Sequence, residues 1–217
     1  MSDHAGRVLS VNVGKPRMIE WMGQTAPTSI WKSPVTGRVH VRGVNIVGDV
    51  QADRQAHGGP DKAVYSYASE DTEWWESQLG RVLGPGAFGE NLTLEGVDVS
   101  GAVVGERWEV GSVLFEVAQP RVPCWKLGAR MNDPAFPDLF LTARRPGAYL
   151  RILREGDVEA GDAVRIMYRP SHGMTLRRVI DIYDSERERA PELLQVPELA
   201  EPLKAWARRR LSYISRR

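Results

Sequence analysis

Glycine punctuates this chain as far as Gly173 and does not occur beyond it. That boundary constrains the fold more than any other feature. Before it, glycine and proline cut the sequence into short apolar runs, the pattern of an irregular β protein or barrel with many turns. After Arg169-Pro170-Ser171-His172-Gly173 the spacing becomes helical: Leu176, Val179, Ile180 and Tyr183, then Leu199, Leu203, Trp206 and Arg210. The sequence therefore predicts a mainly β, α+β chain, with an irregular β or barrel domain over 1–169 and a small helical domain over 172–217. The helical part has too few residues to stand alone easily and is expected to pack on the barrel.

Within the first part, strands are expected at Arg7 to Val13, Gly37 to Val41, Val44 to Val47 and Ala63 to Tyr67. Ser69 reads as the cap of a helix that Gly80 ends, with Glu70, Asp71 and Glu73 in its first turn. Glu106 to Ala118 reads as a hairpin turning at Gly111-Ser112, with Val113, Phe115 and Val117 on one side. Asp133-Pro134 opens a second helix through Phe136 and Phe140. Ala148 to Leu153 and Ala163 to Tyr168 read as closing strands. In the tail, Thr175 is a capping residue, and Pro191 and Pro197 each suit a helix start.

Composition excludes several functions. The 217 residues carry a formal net charge of +1, so no global field draws nucleic acid or an anionic membrane. Arg208-Arg209-Arg210 is offset by acidic residues and reads as a solvated helix face; no stable nucleic-acid binding is expected. No apolar run is long enough to cross a bilayer, and Met1 to Arg7 has no apolar signal core. With a single cysteine, the expectation is a cytoplasmic, reducing compartment.

Three segments exceed plain scaffold. Cys124 sits in Gln119-Pro120-Arg121-Val122-Pro123-Cys124-Trp125-Lys126-Leu127. A lone thiol cannot form an internal disulfide or a four-cysteine site, so any role is that of one thiolate, a nucleophile or a single metal ligand. Arg121 and Lys126 would favour the thiolate if they face it, and the two prolines suit a stiff, non-helical presentation. A buried, inert thiol is the commoner state of a free cysteine. The second segment, 48–63, contains Asp53, His57, Gly58, Gly59 and Lys62. Paired glycines let backbone N–H groups approach an anion, and His57 and Lys62 add donors; a plain turn between strands explains the same residues equally well. The third, Phe88-Gly89-Glu90-Asn91-Leu92-Thr93, reads alone as a glycine-containing strand entry. His4, His40 and His172 have no second ligand at metal spacing, and Trp74-Trp75 reads as helix packing.

Taken together and in order, the three segments resemble the MOSC family, named for the carboxy-terminal domain of molybdenum-cofactor sulfurases. Gly-Asp-x-Gln-Ala-Asp-x-x-x-His-Gly-Gly-Pro-Asp-Lys-Ala stands at 48–63, Phe-Gly-Glu-Asn-Leu-Thr at 88–93 and Gln-Pro-Arg-x-Pro-Cys-x-Lys-Leu at 119–127. Thr28-Ser29-Ile30-Trp31-Lys32-Ser33-Pro34 and Gly147-Ala148-Tyr149-Leu150 extend the agreement. The resemblance covers about 7–168, and 172–217 resembles a short form of the three-helix domain in the bacterial YiiM-type branch, which is linked to resistance to 6-N-hydroxylaminopurine.

The resemblance implies a β-barrel that binds molybdopterin, the molybdenum cofactor, with Cys124 as the metal ligand. It implies reduction of N-hydroxylated compounds, with Arg121 and Lys126 beside Cys124 in catalysis. Lys32, Asp53, His57, Gly58, Gly59, Lys62, Glu90, Asn91 and Arg121 become candidates for holding the cofactor. A soft thiolate beside the pterin dithiolene suits molybdenum, so one cysteine is enough. Electrons must come from a separate flavoprotein or electron-transfer protein: the chain has too few cysteines for an iron–sulfur cluster, no haem-attachment motif and no Gly-x-Gly-x-x-Gly fingerprint. The rival readings are a molybdenum-cofactor carrier or sulfur-transfer protein without turnover, a cysteine hydrolase using Cys124 and His57, and a nucleic-acid binder using the basic tail. A monomer or a homodimer fits equally well.

Overall fold

The computed structural model describes residues 6–53 and 58–214. Seven strands close into a ring: β1 (Gly6–Gly14), β7 (Val64–Ala68), β8 (Leu92–Glu95), β9 (Arg107–Val110), β10 (Val113–Pro120), β11 (Ala148–Arg154) and β13 (Ala163–Tyr168). Their order is β13-β9-β10-β11-β7-β8-β1, and β1 returns to β13 through Gly6 opposite Val164. Closure removes the free edges that an open sheet exposes. Six ring pairings are antiparallel, and β7–β8 is parallel. A parallel pair needs a crossover, supplied here by α1 (Ser69–Leu79) and the loop after it.

Smaller strands decorate the barrel: β4 (Lys32–Pro34) on β1, β5 (Val39–Arg42) between β6 (Asn45–Ile46) and β12 (Gly156–Val158), and a hairpin of β2 (Arg17–Trp21) and β3 (Gln24–Thr28). The sequence reading did not anticipate the β2–β3 hairpin or β12. The hairpin is mostly exposed and turns at Met22-Gly23, both at positive φ, so it lacks the alternating apolar face that marks a half-buried strand.

The expected hairpin at Gly111-Ser112 forms, and Val113, Phe115 and Val117 are fully buried inside the barrel. A second core lies outside it, under α1, α2 (Trp125–Met131) and α3 (Phe136–Thr142). There Trp75 packs on Phe136 at 4.9 Å between ring centroids, Tyr67 stacks on Phe88 at 4.4 Å, and Trp75 Nε1 donates to Tyr67 Oη over 2.9 Å. Truncating one such buried ring costs about 3–5 kcal/mol.

Several local expectations are corrected. Ser69 is the first helical residue rather than a side-chain cap; its hydroxyl donates to Glu70. The segment around Cys124 is not wholly non-helical, because both prolines precede the helix and α2 starts at the next residue. Pro191 lies within a 3-10 segment, Arg187–Gln195, and Pro197 lies short of the last helix, α5 (Glu201–Ile214), which has Pro202 in its first turn. Thr175 caps α4 (Leu176–Asp184) as expected, accepting from Arg178 N over 3.1 Å.

The helical segment is tied to the barrel. Leu176, Val179, Ile182, Leu193 and Ala207 share one apolar cluster with Val104, Phe115 and Val117. Backbone bonds from Leu176 N to Ala102 O and from Ala200 N to Ala118 O fix it to the wall. Among the described residues, no helix is long and apolar enough to cross a membrane.

Candidate functional site

The site begins with Asp49, buried just after Gly48, whose φ of 97° turns the chain inward. Asp49 Oδ1 accepts from Gly14 N at 2.7 Å and from Lys32 Nζ at 2.5 Å, and Oδ2 accepts from Asn91 Nδ2 at 2.9 Å. Asn91 continues the network to both flanking strands, accepting from Tyr65 N and donating to Asn12 O. Burial lowers the Lys32 ammonium below its ordinary pKa, and Asp49 opposes that shift. The network forms a rigid polar floor for a cavity enclosed by the 27–32 and 49–53 segments, β7 and the 121–126 segment.

The loop before β8 presses against this floor. A side chain on Gly89, at φ 76°, would meet Ile30 Cγ1 at 2.6 Å, and one on Gly86, at φ 80°, would meet the Lys32 carbonyl oxygen at 2.8 Å. Glu90 holds that loop from behind. Its carboxylate accepts from Gly86 N at 2.6 Å, Phe88 N at 3.0 Å and the Thr93 hydroxyl at 3.0 Å, and burial raises its pKa.

Cys124 forms one wall, half-buried and extended, at φ −137° and ψ 170°. Four cationic side chains, Lys32, Lys62, Arg121 and Lys126, line the cavity with it, against the carboxylates of Asp49 and Asp53. Lys62 is carried in by the short 3-10 turn Pro60–Lys62, and burial lowers its pKa, with Cys124 and Asp53 acting against the shift. Lys126, on the first turn of α2, pairs with Asp53 at 2.9 Å. Arg121 is buried against the Tyr65 ring, 5.0 Å from its centroid, and donates to the Phe88 carbonyl. Burial works against its charge, but Tyr149, Tyr65 and Cys124 outweigh it and hold its pKa above the ordinary value. Burial likewise pushes the Tyr65 phenol well above its usual range.

The structure brings Lys32, Asp53, Lys62, Asn91, Arg121, Cys124 and Lys126 to one cavity. Glu90 stands behind the wall. Gly59 precedes the turn that carries Lys62, and its N–H is taken by Gln51 Oε1 at 3.0 Å rather than offered to an anion; Gly58 lies beside it, outside the lining. His57 lies outside the described residues. Sequence reasoning passed over Asp49, Ser29, Tyr65 and Tyr149. A carboxylate placed directly after a glycine was the available signal for Asp49; the tyrosines carried none beyond strand periodicity.

The family comparison decides the lineage: the MOSC domain matches residues 53–165, about half of the chain. The chain belongs to the MOSC domain family. Among relatives, this MOSC protein is 36% identical to the uncharacterized protein YflK of Bacillus subtilis over 78% of this chain and 77% of that one. It is 30% identical to protein YiiM of Escherichia coli over 67% of this chain and 66% of that one. A protein named reductase from Gibberella moniliformis is 28% identical over 76% of this chain but only 30% of its own length. The crystal structure of YiiM from Geobacillus stearothermophilus superposes with a TM-score of 0.79 at 32% identity, covering 95% of this chain and 99% of that one. The chain is a YiiM-type MOSC protein with an α+β fold built on a seven-stranded barrel.

The cavity's donor set fits the molybdenum cofactor associated with MOSC domains. A single thiol suits a soft metal that brings its own dithiolene, and the surrounding cations suit an anionic pterin phosphate. Ser29 Oγ, which lines the cavity, is buried without a hydrogen-bond partner. Among the described residues, no group of three or more His, Cys, Asp and Glu could hold a metal ion on its own.

Proposed function

We propose that this MOSC protein is a molybdenum-cofactor-dependent reductase of N-hydroxylated compounds, supplied with electrons by a separate flavoprotein or electron-transfer protein. The observation that carries the reading is the chain's single thiol, on the wall of a cavity whose cations outnumber its carboxylates. Cys124 Sγ would be the protein's bond to the metal. Lys32, Lys62, Arg121 and Lys126 would hold the anionic part of the cofactor, with Asn91 fixing the floor. When bound, the cofactor supplies two-electron chemistry at an N–O bond. The net change is R–NHOH plus two electrons and two protons to R–NH2 plus water.

The chain's own share is positional and electrostatic. Arg121 cannot swing freely, because the Tyr65 ring and the Phe88 carbonyl pin it. A pinned guanidinium acts as a preorganised positive charge for negative charge developing on oxygen. Lys62, beside the thiol, is a second N–H donor for the departing oxygen. Tyr65 and Tyr149, with ring centroids 4.9 Å apart, cover the barrel side and keep bulk water from the reacting atoms.

Cys124→Ser is the direct test, read by molybdenum content and by anaerobic reduction of a hydroxylamine with a reduced dye. Loss of both in a protein that still unfolds cooperatively is expected; parent-level values of both overturn the proposal. Bound cofactor without multiple turnovers in the parent identifies a carrier instead.

A further inference from the structure

Cys124 also borders a second cleft of about 330 Å3 on its helix side, which shares Lys62 and Tyr149 with the barrel-side cavity and is walled by Tyr183 on α4 and Leu203 and Trp206 on α5. The outer rim of the barrel-side cavity is built differently, from arginine and tryptophan. Trp31 stands between Ile30 and Lys32, both of which line that cavity. The Arg17 guanidinium lies over the Trp31 ring, 3.6 Å from its centroid, and Arg130 approaches the same ring at 5.9 Å. Arg17 pairs across the β2–β3 hairpin with Thr28, a lining residue, and Arg130 lies one turn along α2 from Lys126, another. The patch therefore borders the cavity, although none of the three side chains lines it.

Elsewhere on the surface arginines are matched: Arg7 with Glu95, Arg38 with Glu159, Arg154 with Glu109 and Arg177 with Asp98. Among the described residues, Arg17 and Arg130 form no ion pair. A third guanidinium, Arg81, donates to the Met131 carbonyl at 3.0 Å, beside Arg130. Burial lowers the Arg130 pKa; Glu90 opposes that shift, and Arg17 and Arg81 add to it. Glu90 does not complete the pairing, because its oxygens are held by Gly86, Phe88 and Thr93. Arg130 is half-buried and its Nε has no hydrogen-bond partner, so part of the desolvation that pairing requires has already happened on folding. Like charges gathered on one ring, with no carboxylate supplied by the chain, are the complement of an acidic surface. Tryptophan and arginine are also the side chains that most often dominate binding energy at protein interfaces.

We propose that Arg17, Trp31 and Arg130 form a docking surface for an acidic protein, whose carboxylates pair with the two guanidiniums around Trp31. Its use as the landing site of the electron donor rests on the reductase reading; its affinity for an acidic protein face does not.

Two measurements test it, with flavodoxin, a small acidic flavoprotein, as the probe. In the first, calorimetry follows flavodoxin binding to the whole chain. The parent is expected to bind at low salt and to lose about tenfold in affinity as salt rises from about 20 to about 200 mM. Arg17→Gln and Arg130→Gln are each expected to weaken low-salt binding about tenfold, and Arg130→Lys to weaken it less, because the charge is kept and the fork is lost. Arg154→Gln makes the same change in net charge at a paired arginine and should bind like the parent. In the second, cofactor-loaded protein reduces a hydroxylamine with electrons from reduced flavodoxin or from a reduced viologen dye. The two glutamine variants should raise KM for flavodoxin about tenfold and leave the dye-driven rate within about twofold of the parent. Thermal unfolding is followed for each variant, and the exposed Arg17 carries the test alone if Arg130→Gln does not fold. No flavodoxin binding by the parent at about 100 μM in low salt overturns the proposal, as does equal weakening by Arg154→Gln or parent-like binding by the folded glutamine variants. Patch-dependent binding of RNA or of phosphatidylserine vesicles in place of flavodoxin also overturns it. Flavodoxin docking that depends on Arg17 and Arg130, without dye-driven N–O reduction, removes the reductase reading and leaves the surface. Dye-driven reduction with a flavodoxin affinity that neither variant alters removes the surface and leaves the reductase.

Discussion

The two clefts beside Cys124 are built on opposite principles. The barrel-side cavity has a floor of buried charge, in which Lys32, Asp49 and Asn91 fix one another over short hydrogen bonds. The helix-side cleft has a wall of packed rings and aliphatic side chains, with Gln119 as its isolated buried acceptor. Buried ion pairs are sensitive to the loss of one partner, because the other charge is stranded. Apolar walls lose energy in proportion to the atoms removed and tolerate volume-conserving change. The first cavity is therefore rigid and selective for charge, and the second is adaptable and selective for shape.

The largest expected effect strikes the polar floor alone. Asp49→Ala strands Lys32 and removes the acceptor for Gly14 N, so a loss of about 3–5 kcal/mol is expected in urea unfolding. If the loss is below about 1 kcal/mol, the floor is not the rigid element described and the contrast fails.

Glu90→Gln sharpens the same side. An amide offers one acceptor oxygen where the carboxylate serves Gly86 and Phe88 with two, so about 1–3 kcal/mol is expected to be lost. The effect depends on pH. Burial raises the folded-state pKa of Glu90 above 4.5, so over that interval the native state holds a proton that the unfolded chain has released. Native stability therefore falls as pH rises from about 4.5 through the raised value, and then levels off. Glutamine lacks this slope, and the gap between the two proteins should narrow with rising pH. Unfolding curves from pH 4.5 to 7.5 measure it, and a gap that widens contradicts the assignment.

Thr175→Ala probes the helical wall. Losing the hydrogen bond to Arg178 N should cost about 1 kcal/mol, without altering retention of an anion in the barrel-side cavity. Equal loss of anion binding would mean that the two clefts are not separable. The smallest expected stability change comes from Lys62, which belongs to both. Lys62→Ala should shift unfolding by no more than about 0.5 kcal/mol, yet lower the molybdenum retained after gel filtration severalfold. Unchanged retention would exclude Lys62 from the anion site.

The same contrast separates what the sequence made legible from what it did not. The barrel-side cavity is written in contiguous runs, so Lys62, Asn91, Arg121 and Cys124 could be grouped before any fold was known. The breaks at Gly80 and Gly111 also marked the real end of a helix and of a strand, because each adopts a positive φ that side chains resist. Glu90 was grouped with the cavity but turns to its own loop, since a run of sequence does not tell which face a side chain takes. Asp49 was missed because its importance lies in three partners distant in sequence. The helix-side cleft was illegible for the same reason: Gln119 read only as the start of the Cys124 segment, Tyr183 and Trp206 read as helical spacing, and only the docking of α4 and α5 on the barrel brings them together.

Closing the ring through Gly6 and Val164 has a consequence for synthesis on the ribosome. The first strand to emerge pairs with the last strand of the barrel, so β1 waits for some 150 residues of translation before that seam can form. Until then a nascent chain carries two open strand edges, the surfaces most prone to pairing with a neighbour. The bond from Ala200 N to Ala118 O comes later still. The barrel-side cavity is therefore assembled around a scaffold whose seam closes only after the other six barrel strands have been made.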